Sequence, residues 1–269
     1  MDLNVKDIKL GVIGCGKMAT AILSGVINNS FINNENIFVY DVDKNASENI
    51  SKELGVLITD SIDDLLQICN VILLAVKPFV VNEVLEEIKK NYNNQLVLSI
   101  LAGVKLEKYK KVIPNINIIR IMPNTPAMVN SAMSAVCGDE NLDNGISFAI
   151  SLMKNCGEVV VVPEEKIDII TALSGSGPAF YYKIIDFLAK SAQKLGLDYD
   201  TALQLSAQTA LGSAEMLKRN SYNVEQLIKN VTTPGGCTEV GNNVLLESNI
   251  GEIFDILIKN TAKKAQELG

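Results

Sequence analysis

From Lys9 to Val162 the sequence alternates short β-branched apolar runs with amphipathic stretches, and after Pro163 that alternation stops. The runs Lys9–Ile13, Ile37–Tyr40, Val71–Val76, Leu96–Leu101, Ile118–Met122, Ala132–Cys137 and Val159–Val162 predict strands. Several are apolar at every position, the pattern of strands covered on both faces. Stretches such as 17–29, 44–54, 80–91 and 142–155 predict the helices between them. Together they predict an α/β fold whose N-terminal part is a Rossmann-type, doubly wound parallel sheet.

Beyond Pro163 only helical patterns follow, at Pro178–Leu195, Thr201–Arg219, Val224–Asn230 and Glu239–Leu268. Residues 1–163 are therefore expected to form a dinucleotide-binding domain, and residues 164–269 an all-helical domain. The Pro178–Leu195 pattern is apolar around much of its circumference, which a lone helical layer cannot bury. A domain this small completes its burial with a partner chain, so a homodimer is expected, with room for a higher assembly of dimers.

Composition removes whole classes of chemistry. The 269 residues contain no histidine, which excludes Ser-His-Asp and Cys-His catalysis and any His-ligated metal site. No metal site is expected. The 24 basic and 31 acidic side chains give a net charge of −7, and Arg120 and Arg219 are the only arginines, a poor footprint for nucleic acid. Cys15, Cys69, Cys137, Cys156 and Cys237 are odd in number and scattered, unlike a disulfide framework. The charged start MDLNVKDIKLGVIG has no signal core, and no apolar run reaches the ~18 residues needed to cross a bilayer. These features predict a soluble cytoplasmic protein with no membrane partner.

The first predicted strand runs into Gly14-Cys15-Gly16-Lys17-Met18-Ala19, the G-x-G-x-x-A form of a dinucleotide fingerprint. Gly14 permits the tight turn, Gly16 leaves the backbone open to a pyrophosphate, and Ala19 lets the helix pack closely on the strand. Asp41 follows the second strand 22 residues after Ala19. A carboxylate there accepts hydrogen bonds from ribose hydroxyls and repels a 2′-phosphate, a slight tilt toward NADH that Lys44 offsets. Asp41 could equally cap the helix starting near Asp43. The strand Val71–Val76 leads into Lys77-Pro78, and Lys77 could meet a phosphate or ribose, or simply be solvated.

Five elements in order, G-x-G-x-M-A (Gly14–Ala19), A-V-K-P (Ala75–Pro78), M-P-N-T-P (Met122–Pro126), S-G-S-G-P (Ser174–Pro178) and P-G-G-x-T (Pro234–Thr238), resemble pyrroline-5-carboxylate reductases over nearly the whole chain. The resemblance implies reduction of the C=N bond of 1-pyrroline-5-carboxylate by NADPH or NADH to give L-proline, on a Rossmann domain followed by a helical dimerisation domain. It implies cofactor contacts from Ile13, Gly14, Cys15, Gly16, Lys17, Met18, Ala19, Asp41, Ala75, Val76, Lys77 and Pro78. It implies substrate contacts from Thr171, Ser174, Ser176, Val231, Gly235, Gly236, Cys237 and Thr238, with Thr238 catalytic at the ring nitrogen.

A protonated cyclic imine is already a good hydride acceptor, so position and electrostatics suffice without imidazole or metal. An alcohol is a weak acid, which makes orientation the safer role for Thr238. Met122–Pro126 either contacts substrate or braces the floor of the site. Three places depart from the family pattern: Cys237, the stretch Ser221-Tyr222-Asn223, and Asp41. Two rivals share the fold: a β-hydroxyacid dehydrogenase using Lys183, where Asp186 stands in place of the required Asn, and a dinucleotide-binding scaffold without turnover.

Overall fold

A computed structural model describes residues 5–219, 221 and 223–267. They form two compact units, one of residues 5–176 with 260–267 and one of residues 177–259. The first carries eight strands: β1 (Leu10–Ile13), β2 (Ile37–Tyr40), β3 (Leu57–Ile58), β4 (Val71–Leu74), β5 (Leu96–Ser99), β6 (Asn117–Met122), β7 (Ala132–Gly138) and β8 (Gly157–Val161). Its helices are α1 (Lys17–Asn28), α2 (Lys44–Leu54), α3 (Ile62–Ile68), α4 (Val81–Asn91), α5 (Leu106–Val112), α6 (Asp143–Met153) and α7 (Ile167–Ile170).

The sheet order is β3-β2-β1-β4-β5-β6-β7-β8. Neighbours run parallel except β6 and β7, which pair antiparallel with Arg120 opposite Cys137. Strand order reverses between β1 and β4, so the crevice outside their carboxyl ends is where this fold receives a ligand.

The continuously apolar strands have a simple cause. Leu10, Val12, Val71, Leu73, Leu96 and Leu98 point to one layer, packed with Ile22, Leu23 and Val26 of α1 and Phe148 and Leu152 of α6. Their alternates Ile13, Ile72, Leu74 and Val97 point to the other, with Leu65 of α3, Leu85 and Ile88 of α4 and Tyr109 of α5. Ile22 and Leu23 are fully buried, which stabilises by about 2 kcal/mol per side chain.

The second unit holds α8 (Gly177–Lys194), α9 (Tyr199–Arg219), α10 (Val224–Val231) and α11 (Cys237–Glu247), and α12 (Ile250–Glu267) runs from it into residues 260–267. The single helix expected over Glu239–Leu268 is instead two. Ser248 is extended (φ −87°, ψ 161°) and its hydroxyl donates to the Leu245 carbonyl, which closes α11. Leu268 lies outside the described residues, as does Tyr222 of the 221–223 departure. Apolar side chains of this unit stay open, among them Phe187, Leu211 and Leu246 at 58%, 58% and 73% exposure.

Candidate active site

Gly14 has φ +100°, and a Cβ there would sit 2.8 Å from the backbone of Ala75. Only glycine fits, because the turn is stitched between two strands: the Gly14 N–H donates to Tyr40 O (2.9 Å) and the Ala75 N–H to Ile13 O (2.8 Å). A Cβ on Gly16 would meet nothing within 4 Å, so the backbone there faces open space. Gly16 is the N-cap of α1 and no side chain caps the helix. The first N–H groups of α1 are thus available to an anion, and the helix dipole favours one.

Asp41 braces this turn. Its Oδ2 accepts from the Cys15 N–H at 2.7 Å and its Oδ1 from the Asp43 N–H at 2.9 Å. The cap of α2 is Asp43, whose carboxylate accepts from Asn45 N–H. Asp41 is therefore not the helix cap. Burial, and secondarily the Asp41 charge, push the Cys15 thiol up to about 12, so it is neutral and unreactive at ordinary pH.

Two cavities open on either side of the turn. One of about 640 Å³ is lined by Ile13, Gly14, Tyr40, Asp41 and Val76, with Glu83, Glu86 and Glu87 of α4 beside them. The other, about 550 Å³, takes Gly16, Lys17, Met18 and Ala75–Pro78, joined by Ile100, Ala102, Met122, Pro123 and Thr125. Ala19 is buried in α1, packed in the core beneath the turn. Ile100, Leu101, Ala102, Met122, Pro123 and Thr125 are additions to the expected cofactor set. The signal for them was their place just past the carboxyl ends of β5 and β6.

Thr171, Ser174 and Ser176 are brought together by a π-helical turn over Thr171–Gly175 that extends α7. Such turns are uncommon and cluster at functional sites. The Ser176 N–H donates to Thr171 O across it at 2.8 Å. The Thr171 hydroxyl donates to Ile167 O at 2.8 Å, leaving its oxygen as an acceptor. Ser174 is half-buried and its hydroxyl accepts from Asn124 Nδ2 at 3.2 Å.

In the second unit Val231 ends α10 and Pro234–Gly236 turns the chain into α11, whose first residues are Cys237 and Thr238. Val231 and Thr238 are exposed. Gly235 has φ +72°, a left-handed conformation that a side chain resists. Its N–H donates to Glu239 Oε2 (2.8 Å) and the Gly236 N–H to Thr233 O (2.8 Å). Those two donors are taken within the loop. The N–H groups of Cys237 and Thr238, at the first helical positions, have no carbonyl a turn earlier to bond.

Lys183 of α8 is exposed, 3.7 Å from Asp186 and 5.4 Å from the Phe187 ring centroid. Among the described residues, no group of three His, Cys, Asp or Glu side chains could hold a metal, and no helix is long and apolar enough to cross a membrane.

A family model described as pyrroline-5-carboxylate reductase dimerisation matches residues 164–268, and one described as NADP oxidoreductase, coenzyme F420-dependent, matches residues 9–103. Pyrroline-5-carboxylate reductase of Synechocystis is 36% identical over 264 residues, 98% of this chain and 99% of the relative. That of Methanosarcina acetivorans is 33% identical over 98% of this chain and 99% of its own. The pyrroline-5-carboxylate reductase structure from Coxiella burnetii has a TM-score of 0.91 at 34% identity, covering 97% of this chain and 98% of that one. Plasmodium falciparum pyrroline carboxylate reductase with NADP bound has a TM-score of 0.88 at 31% identity, covering 99% and 100%. A Mycobacterium tuberculosis 3-hydroxyisobutyrate dehydrogenase, 13% identical with a TM-score of 0.54 over 71% of this chain and 67% of that one, shares the fold alone.

Proposed function

This chain belongs to the pyrroline-5-carboxylate reductase family, and from that premise we propose that it reduces the C=N bond of 1-pyrroline-5-carboxylate to L-proline with a nicotinamide dinucleotide as hydride donor. The observation that carries the reading is the turn at Gly14–Gly16. An uncapped helix N-terminus faces open space there, braced by Asp41, with a cavity on either side. That arrangement fits a dinucleotide, whose pyrophosphate the N–H groups of α1 would hold.

When bound, the reduced nicotinamide supplies the hydride. The chain supplies the rest. The N–H groups of Cys237 and Thr238 at the start of α11 would hold the substrate carboxylate. Thr171, Ser174 and Ser176 would contact the substrate, Thr171 as an acceptor because its own proton is spent on Ile167 O. Val231 would pack on the ring. The Thr238 hydroxyl would hydrogen-bond the ring nitrogen and hold its proton in place, a role of orientation that needs no shifted acidity.

Asp41 tilts the choice of donor slightly toward NADH, because a 2′-phosphate would meet its carboxylate and those of Glu83, Glu86 and Glu87 lining the same cavity, while Lys44, which lines a neighbouring cavity with Asp41, offsets part of that charge. Lys89 and Lys90 pair with Glu86 and Glu87 at 3.8 and 2.7 Å and reduce that repulsion without removing Asp41's.

Residues 1–163 serve as the dinucleotide domain and 164–269 as the substrate and dimerisation domain. The match of the dimerisation model to 164–268 and the open apolar faces of α8 to α11 support a homodimer. The free thiols fit a reducing, cytoplasmic setting, with neither nucleic acid nor membrane as partner. Incubation with the imine and a reduced dinucleotide, followed by amino-acid analysis, tests the reaction. Proline formed mole for mole with dinucleotide oxidised is the expected result; oxidation without proline would refute it.

A further inference from the structure

Asn124 lies in the segment that leaves the carboxyl end of β6, and its side-chain amide joins two other parts of the first unit. The Met133 N–H of β7 donates to its Oδ1 at 3.0 Å. Its Nδ2 donates to both the carbonyl and the hydroxyl of Ser174, each at 3.2 Å. An N–H on one side and a carbonyl on the other fix which way the amide points. The residue is buried, 8% exposed, and its two N–H donors are both spent on Ser174. It has nothing left to offer a substrate.

Its sequence neighbours do something different. Met122, Pro123 and Thr125 line the 550 Å³ cavity together with Gly16–Met18 and Ala75–Pro78. Met122 also meets the far side: a Cβ on Gly175 would come within 2.6 Å of its terminal methyl. The segment thus forms the wall of the dinucleotide cavity and, through Asn124 and Met122, the seat of the π turn.

We propose that Asn124 is a positioning residue for hydride transfer. It locks the Thr171–Ser176 turn to the wall of the dinucleotide cavity, so that substrate held by that turn stays in register with the hydride donor. This rests on the reading of the site as an imine reductase. A displacement of about 1 Å in such an alignment is enough to cost up to about a hundredfold in rate while leaving binding of the donor alone.

The discriminating variant is Asn124→Asp, which keeps the acceptor for Met133 N–H and removes both donors to Ser174. In the purified full-length enzyme, kcat/KM for the imine should fall about tenfold or more, chiefly through kcat. The dissociation constant for the reduced dinucleotide, read by fluorescence, should stay within about twofold. Amide hydrogen exchange over residues 171–176 should speed up while that of β1 and β4 does not. A core variant with no place in this link, Val136→Ala, should lower thermal stability and leave exchange over 171–176 and per-molecule turnover unchanged.

Asn124→Ala gives a second route if Asn124→Asp fails to fold. It removes the same two donors to Ser174 without burying a charge, and should lower kcat with dinucleotide affinity retained. Unchanged exchange over 171–176 in Asn124→Asp, or unchanged kcat/KM in either variant, would overturn the proposal. If the wild-type enzyme oxidises no dinucleotide with the imine, the functional reading has failed. The exchange measurement then still decides whether Asn124 holds the turn.

Discussion

The Asp41 carboxylate, at the end of β2, accepts a 2.7 Å hydrogen bond from the backbone N–H of Cys15 in the glycine turn. One side chain thereby sets both the shape of the turn and the charge of the cavity beside it. Asp41→Ser should loosen the turn for either dinucleotide and remove the repulsion toward a 2′-phosphate for one of them. The ratio of kcat/KM for NADPH to that for NADH should therefore rise by about tenfold or more, as parallel steady-state assays would read. An unchanged ratio would restrict Asp41 to bracing the turn.

Thr238→Ala should lower turnover at least several-fold while dinucleotide affinity holds, because the role proposed for its hydroxyl is toward the substrate alone. Stopped-flow turnover with fluorescence titration of the dinucleotide checks both halves. Equal turnover would remove Thr238 from the mechanism.

Lys183→Met is the contrasting variant. A hydroxyacid dehydrogenase would lose its catalytic lysine, whereas an imine reductase loses an exposed side chain beside Asp186 and Phe187. Steady-state imine reduction should persist largely unchanged.

The cysteines divide by exposure. Cys15, Cys69, Cys137 and Cys156 are buried and Cys237 is exposed. Burial pushes the Cys69 thiol up to about 12 and those of Cys137 and Cys156 up to about 11. In the native enzyme a thiol-specific alkylating reagent should modify Cys237 alone and slow imine reduction, since that residue adjoins Thr238. Mass spectrometry identifies the adduct. The same shifts predict alkaline instability. Unfolded thiols ionise near 9 while the buried ones stay protonated to about 11 or 12, so the unfolded chain holds fewer protons over that interval. Stability is complete below 9 and falls as pH rises above it. Urea unfolding at pH 8 and pH 10.5 should differ by at least about 2 kcal/mol.

Arg120, its side chain 4% exposed, meets Glu164 at 2.6 Å, and the same carboxylate oxygen accepts from Leu106 N–H at 2.7 Å. Arg120→Met should destabilise by about 3 kcal/mol, because it leaves the partly covered Glu164 carboxylate without its cation. Thermal unfolding should show part of the loss recovered in the double variant with Glu164→Gln.

The parts of the fold that could be read from sequence are those whose physics is local. Strands such as β1 and β4 face apolar layers on both sides, so Leu10–Ile13 and Val71–Leu74 are apolar throughout and announce themselves. The two-residue β3 at Leu57–Ile58 is largely exposed and carries no such pattern. Helices α3 and α5, of seven residues each, have too few turns to establish a period. The break at Ser248 escapes because apolar spacing continues from Val244–Leu246 into Ile250 and Ile253.

At the site, the glycine spacing at Gly14 and Gly16 translates directly into geometry. The partners of Asp41 and Asn124 do not, since Cys15 and Ser174 lie 26 and 50 residues away. The antiparallel β6–β7 pairing is equally silent, because apolar strands read the same in either direction.

Imine reduction is read from the loss of reduced-cofactor absorbance in the presence of 1-pyrroline-5-carboxylate, with NADH and NADPH run side by side. Rapid oxidation that depends on the imine is expected, with NADH the better donor. Dinucleotide binding by fluorescence with no imine-dependent oxidation from either donor would contradict it, and would mean the fold persists without the activity.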